Sequence, residues 1–422
     1  MTFALAAALL VLAFLGAPVF ALMGALALYL FHGAAIDSAA VIIELMRLAS
    51  LPALIAIPLF TFSGFVLAES GAPRRMLALA VALFGWMPGG LAIVGLVSCA
   101  LFTAFTGASG VTIIALGGLL YPMLLKEKYP EGFSLGLLTC TGSLGLLFPP
   151  SLPIILYGLV AKVSIDDLFV AGAIPGVLLI LLLSGISMVV AWRSGLRRAP
   201  FSGAAALAAA RAAAWEIPLP VLIVGGIYGG VFTATDAAAV MAFYVLVVEM
   251  AVYRDVKPAD LPRIVRSSMI LVGSILIVLG TALGLTNYLI DAEVPEKIFA
   301  ALSLYVHSKT VFLLILNILL LVVNMVEIFS AIIIVVPIII PIAAQYGIDP
   351  IHMGIIFLLN LEIGYMTPPL GLNLFLSNRR FDQPLPKLYR AAFPFWVAHV
   401  LMLALVTYWP QLSLWLLHLK DS

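Results

Sequence analysis

The sequence predicts an all-α polytopic membrane protein made of two inverted repeats, each a re-entrant hairpin followed by a broken helix. Three observations carry this. The 422 residues are 64% hydrophobic and only 10% charged, with a mean hydropathy of +1.22, whereas a soluble chain is about a quarter charged. Apolar runs follow one another from end to end, and a spanning helix needs about 20 apolar residues. A cluster of small and polar residues followed by a Pro-Pro pair also occurs twice: Thr106-Gly107-Ala108-Ser109-Gly110 precedes Phe148-Pro149-Pro150-Ser151, and Asn324-Met325-Val326-Glu327-Ile328-Phe329-Ser330 precedes Met366-Thr367-Pro368-Pro369 at the same distance. Unpaired backbone at membrane depth is tolerated only where it is buried in protein or lines a cavity. Matching interruptions in two halves point to the binding site of a secondary transporter.

Taken in order, the expected spans are 3–31, 50–68, 76–97, 98–125, 133–161, 168–192, 215–231, 235–253, 268–290, 310–346, 351–377 and 391–418. Met1 runs straight into apolar residues with no basic leader, so the first run reads as a retained span. The runs 98–125 and 310–346 hold small polar residues near their middles and read as re-entrant hairpins. Those at 133–161 and 351–377 carry Pro-Pro at their centres, and because proline lacks an N–H and clashes with the preceding turn, each reads as a broken helix. The stretch 215–253 is too long for one span and divides at Gly229 to Asp236. There Thr233-Ala234-Thr235-Asp236 reads as a helix cap and not as a ligand set. The resulting organisation is N-terminal scaffold helices at 1–97, a first transport repeat at 98–192, connecting and scaffold helices at 193–290, a second transport repeat at 310–390 and a C-terminal helix at 391–422.

Charge placement orients these spans. If the first hairpin opens to the cytoplasm and the second to the outside, the outside keeps only Arg74, Arg75, Lys162, Lys297, Lys309 and Lys420 of the 21 Lys and Arg residues, the bias that topology requires. Arg74-Arg75 is the misfit, and it implies either an interfacial helix before residue 97 or one span too many there. Glu44, Glu69 and Glu249 lie near span ends and are expected to be solvated.

The same composition excludes other classes. A net charge of +1 on a membrane chain gives no basis for nucleic-acid binding. No stretch is long enough for a soluble catalytic or ATPase domain, and no nucleotide-binding motif occurs. Cys99 and Cys140 lie in apolar runs and read as small buried hydrophobes. The five histidines are scattered, with His352 expected to cap the entrance of a broken helix, and no nucleophile stands beside a base, so an enzyme is not expected. Small residues alone commonly mark close helix packing. Their repetition, each time ahead of a Pro-Pro pair, favours a site.

Several longer motifs carry a family resemblance. Gly64, Ser70-Gly71, Pro88-Gly89-Gly90-Leu91-Ala92, Thr106 to Thr112, Phe148 to Pro153, Asp167 to Gly176, Gly229 to Ala238 and Gly364 to Phe375 resemble the large membrane subunit of tripartite ATP-independent periplasmic (TRAP) transporters, in order over nearly the whole chain. The resemblance implies a bacterial inner-membrane importer that uses a Na+ gradient to take up an organic acid by an elevator motion. It also implies two partners, a small four-helix membrane subunit and a periplasmic substrate-binding protein. The competing readings are a stand-alone Na+/anion symporter of the same architecture and, further off, a channel or intramembrane enzyme.

Carried over residue by residue, the resemblance places one Na+ at Thr106, Ser109, Gly145 and Pro149 and a second at Asn324, Glu327, Thr367 and Gly371. Neutral carbonyls and hydroxyls suit a hard cation without fixing charge at the midplane. The freed helix N-termini suit a carboxylate, and the polar side chains nearest them, Thr112, Ser151, Ser330 and Asn373, form the expected substrate site. Three departures stand out. The first cluster has fewer hydroxyls than the family's consecutive serines, Glu327 stands where Asp is usual, and Glu362 stands where an apolar or small residue is expected. Acids at bilayer depth are functional suspects by default, and two readings stand: at least one of these two exchanges a proton for a cation, or Glu362 pairs with a polar group at a protein interface such as that with the small subunit. The substrate is not legible: no Arg in the motifs announces a dianion.

Overall fold

In the computed structural model, residues 11–12, 17–34, 36–37, 39, 42–43, 46, 51–196, 200–323 and 328–420 are described. Every regular element among them is helical. Asn324 and Glu327, Glu44 and residues 3–10 and 13–16 of the first expected span therefore lie outside the described residues.

Helix α1 (Val19–Gly33) precedes α2 (Ala56–Glu69) and the short α3 (Ala72–Phe84), which turns 74° from the segment before it. The first hairpin is α4 (Gly90–Thr106) and α5 (Ser109–Lys126). The first broken helix is α6 (Glu131–Thr141), a 3-10 turn at Leu144–Leu147 and α7 (Leu152–Ala161). The long α8 (Ile165–Arg193), the surface helix α9 (Gly203–Ala212), α10 (Pro218–Tyr228) and α11 (Ala234–Val252) lead to α12 (Leu261–Asp291) and the short α13 (Val294–Ser303). The second hairpin follows as α14 (Lys309–Val323) and α15 (Ile328–Gln345), the second broken helix as α16 (Pro350–Tyr365) and α17 (Leu372–Phe381), and the chain closes with α18 (Leu385–Tyr408) and α19 (Gln411–Lys420).

The expected span 76–97 is not one helix. Gly85-Trp86-Met87-Pro88-Gly89 divides it, and Gly89 adopts φ +73°, a left-handed conformation open to glycine, at 3.0 Å from the Ser187 carbonyl oxygen for any added Cβ. The first hairpin thus begins at Gly90, and α3 is a separate short helix with Arg74 and Arg75 in its first turn. A counterpart is α13, which the sequence reading missed. Both α3 and α13 carry proline in the first helical turn, Pro73 and Pro295, where its missing N–H is no loss. Each stands between a long helix and a hairpin, so the two sets of elements match beyond the motifs themselves.

Packing sorts the helices into two groups. In one, α1, α2, α10, α11 and α12 pack together; in the other, α4 to α8 pack with α14 to α19. The two meet where α2 crosses α4 and where α12 crosses α15. Within the second group the halves interlock: α7 of the first set lies on α15 of the second, and α17 of the second lies on α5 and α6 of the first.

The charged residues correct two expectations. Arg75 bonds Glu216, Glu249 (3.1 Å) and Asp255, while Arg263 forms a two-pronged pair with Glu69 (2.8 and 3.0 Å). Arg74-Arg75 therefore shares the face of the loop holding Arg254 and Lys257, which is the inner face in the expected topology, and the misfit disappears. Glu249 is not solvated; it is fully buried beneath Arg75. The cap at Thr233 is as expected, its hydroxyl accepting from the Asp236 N–H while the Asp236 carboxylate accepts from Thr233. His352 is not a cap. Asp349 fills that role by accepting from the Ile351 and His352 N–H groups, and buried His352 lies 3.0 Å from the Ser413 hydroxyl.

Candidate transport site

Gly107 sets the geometry of the first interruption. Helix α4 ends as Gly107 takes φ +65°, and Ala108 follows extended before α5 starts at Ser109. A Cβ at Gly107 would fall 2.5 Å from Leu152 at the start of α7, and one at Gly110 would fall 2.8 Å from Leu376 in α17. The hairpin turn is thus held against the restarting halves of both broken helices. Small residues in the cluster are what permit this approach.

Of the expected first-cation residues, Thr106 and Ser109 flank this turn and Gly145 packs on α4. Gly145 lies in the 3-10 turn, where a Cβ would meet the Ala100 carbonyl oxygen and the Ala104 nitrogen at 2.4 Å, so α4 and the interrupted helix touch backbone to backbone. The Gly145 carbonyl accepts from the Phe148 N–H at 3.2 Å, and the Thr106 hydroxyl lies 3.5 Å from the Ala108 carbonyl oxygen. The Ser109 hydroxyl is buried with no hydrogen-bond partner among the described residues. Buried polar groups nearly always have a partner, so such an oxygen marks a place where a ligand fits. Pro149 and Pro150 are buried, and the Pro149-Pro150 peptide is cis.

The second interruption repeats the pattern with a cis Pro368-Pro369 peptide. Here the oxygens are already engaged. The Thr367 hydroxyl donates to the Ile363 carbonyl at 2.7 Å and accepts from the Trp396 ring N–H at 3.0 Å, and the Thr367 carbonyl accepts from the Gly371 N–H at 2.9 Å. Among the described residues of the two expected cation sets, the unpartnered side-chain oxygen is that of Ser109.

The substrate candidates separate. Ser109 and Ser330 line one cavity of about 770 Å³ with Tyr365 and Leu372, closed on its far side by residues of α1 and by Leu271 to Val278 of α12. It therefore brings the first hairpin turn and the start of α15 together against the first packing group. Asn373 and Ser151 are buried at the restarting helix ends: Asn373 donates its amide to the Thr139 carbonyl at 3.0 Å, while its side-chain oxygen and the Ser151 hydroxyl have no partner among the described residues. Thr112 lies elsewhere. Its hydroxyl is 2.6 Å from that of Thr103, which also donates to the Gly142 carbonyl at 3.0 Å, so it ties α5 to α4 and α6. This partner lies on the other arm of the hairpin, out of reach of sequence spacing.

Sequence reasoning missed the wall that α8 supplies. A Cβ at Gly172 would meet the Leu147 carbonyl oxygen at 2.4 Å and one at Gly176 the Phe148 ring at 2.6 Å. The motif Asp167 to Gly176 thereby seats the first broken helix. The small residues at a four-residue interval were the available signal.

Glu362 sits in α16 near Cys140 of α6, with both carboxylate oxygens buried and unpartnered among the described residues. Beside it a polar chain runs through the second set: the Asn360 amide donates to Asn317 (2.8 Å), whose own amide donates to the Thr407 hydroxyl (3.1 Å).

Comparison with known proteins places this arrangement. The family described as "Tripartite ATP-independent periplasmic transporter, DctM component" matches residues 3–412. The C4-dicarboxylate TRAP transporter large permease protein DctM of Pseudomonas aeruginosa is 38% identical over 93% of this chain and 92% of its own. An ectoine/5-hydroxyectoine TRAP transporter large permease of Ruegeria pomeroyi is 32% identical over 87% of each. Among solved structures, the Alcanivorax borkumensis YdaH transporter matches with a TM-score of 0.63 at 17% identity over 87% of each chain, a likeness of fold.

Proposed function

Because the chain belongs to the DctM-component family, as the large permease subunit of a TRAP transporter, we propose that it imports an organic acid across the bacterial inner membrane, driven by Na+. The observation that carries the reading is the cavity shared by Ser109 and Ser330, which brings the first hairpin turn and the start of α15 to one place between the packing groups. The buried Ser109 oxygen without a partner supplies a neutral ligand there, and the Ser151 and Asn373 oxygens offer polar contacts at the helix restarts. A cation of high charge density gathers such oxygens, and two helix restarts at Leu152 and Leu372 direct N–H groups toward an anion.

In this reading α1, α2 and α10 to α12 form the scaffold and the second group moves as the transport body, with α3 and α13 as connecting arms. Thr106, Ser109, Gly145 and Pro149 hold the first Na+. Thr367 and Gly371, with Asn324 and Glu327, hold the second. The relatives' names span a C4-dicarboxylate and ectoine, so the substrate class is small organic acids and related polar solutes. A periplasmic binding protein selects among them and a small four-helix subunit completes the scaffold.

The test is reconstitution in liposomes with both partner subunits. Uptake is expected to require inward Na+ and to proceed without ATP. Unchanged uptake in K+-based buffer free of Na+ would exclude the coupling, and uptake by this chain alone would replace the tripartite reading with the stand-alone symporter.

A further inference from the structure

Helices α3, α5 and α9 enclose a groove of about 650 Å³ that the transport reading does not use. Leu77 and Val81 of α3, Leu119 and Met123 of α5 and Ala205 of α9 line it, and Arg74 stands at its rim as its one charged residue. The contrast with Arg75 is sharp. Arg75 is surrounded by Glu216, Glu249 and Asp255, whereas Arg74 is exposed and has no ion pair among the described residues.

The surroundings fix the depth of this groove. Helix α9 has no buried residue, and Leu207 on it, Phe201 just before it and Trp215 just after it are all at least half exposed. Exposed apolar side chains with a tryptophan beside a short surface helix belong at the boundary between headgroups and acyl chains. The Arg75 and Arg263 ion pairs lie at the same end of the molecule and mark where water begins. The groove itself is on the scale of small-molecule sites, ~300–1,000 Å³.

We propose that this groove binds an anionic phospholipid of the cytoplasmic leaflet, its acyl chain between α3, α5 and α9 and its phosphate on Arg74. The lipid then bridges the first hairpin, through α5, to an arm helix and the connecting helix. Only this last consequence rests on the proposed transport function; the binding itself does not.

Native mass spectrometry of the detergent-purified full chain, titrated with phosphatidylglycerol or with phosphatidylcholine of the same acyl chains, tests it. Phosphatidylglycerol is expected to be retained more tightly, by about fivefold for one arginine–headgroup contact, with Arg74→Ala removing the preference and Arg74→Lys keeping most of it. Ala209→Phe, which fills the groove, is expected to displace both lipids. Equal retention of the two lipids, or a preference unchanged in Arg74→Ala, overturns the proposal. Inorganic phosphate competing as well as the lipid, with no effect of Ala209→Phe, also overturns it in favour of a free-anion site.

Discussion

Gly64 meets the backbone of Thr106 directly: a Cβ added at Gly64 would lie 2.4 Å from the Thr106 Cα and 2.7 Å from the Phe105 carbonyl oxygen. The last turn of α4, at the hairpin's tip, is therefore pressed onto α2 across the boundary between packing groups. Gly64→Ala is expected to force the two apart at about 1–3 kcal/mol, as overpacking does, slowing uptake more than it lowers expression. Melting temperature and initial uptake rate of one preparation check this; a wild-type rate would mean that α2 and α4 separate freely.

Ser109→Ala removes the buried hydroxyl that lacks a partner. It is expected to raise the Na+ concentration for half-maximal uptake about fivefold, the equivalent of one ligand contact of roughly 1 kcal/mol, without loss of folded protein. Thr367→Ala is expected to raise it less, because that hydroxyl already serves Ile363 and Trp396. Overlapping Na+ titrations for wild type and Ser109→Ala would remove the first cation set.

Arg75→Ala leaves Glu249 and Glu216 buried without their cation. Loss of one partner from a buried charge cluster costs about 3–5 kcal/mol, so a large fall in melting temperature is expected. The Arg75 guanidinium also lies 3.8 Å from the centre of the Tyr253 ring, so Arg75→Lys, lacking the planar fork, restores only part. Adding Glu249→Gln to Arg75→Ala is expected to recover stability. If Arg75→Ala melts like wild type, the network does not anchor α3.

Glu362→Gln keeps shape and removes charge from a site where both oxygens lack partners. The expected outcome is normal assembly with a flattened pH dependence of uptake and an altered Na+ requirement. Unchanged pH and Na+ profiles would assign Glu362 a packing role beside Cys140.

Much of the design was legible because it is written locally. The twin clusters, the Pro-Pro pairs and the Thr233–Asp236 cap each involve residues a few positions apart, and lipid forbids most other ways of satisfying such backbone. What the sequence hid depends on partners far along the chain. The run 76–97 is apolar throughout, and only the packing of Gly89 on Ser187 shows why it breaks. Glu249 looked solvated because its cation is Arg75, far earlier in the chain. Thr112 looked like a ligand because its spacing shows nothing of Thr103. The arm α13 escaped notice because its ten residues are too few to register as a span.

The two Pro-Pro turns share sequence and peptide geometry but not surroundings. Pro149 and Pro150 are buried, while Pro368, Pro369 and Leu370 are exposed. A duplicated design has thus been caught out of phase with itself, one copy sealed and the other open. Copies alike in sequence thus differ in what can reach them, which their sequences alone would not reveal.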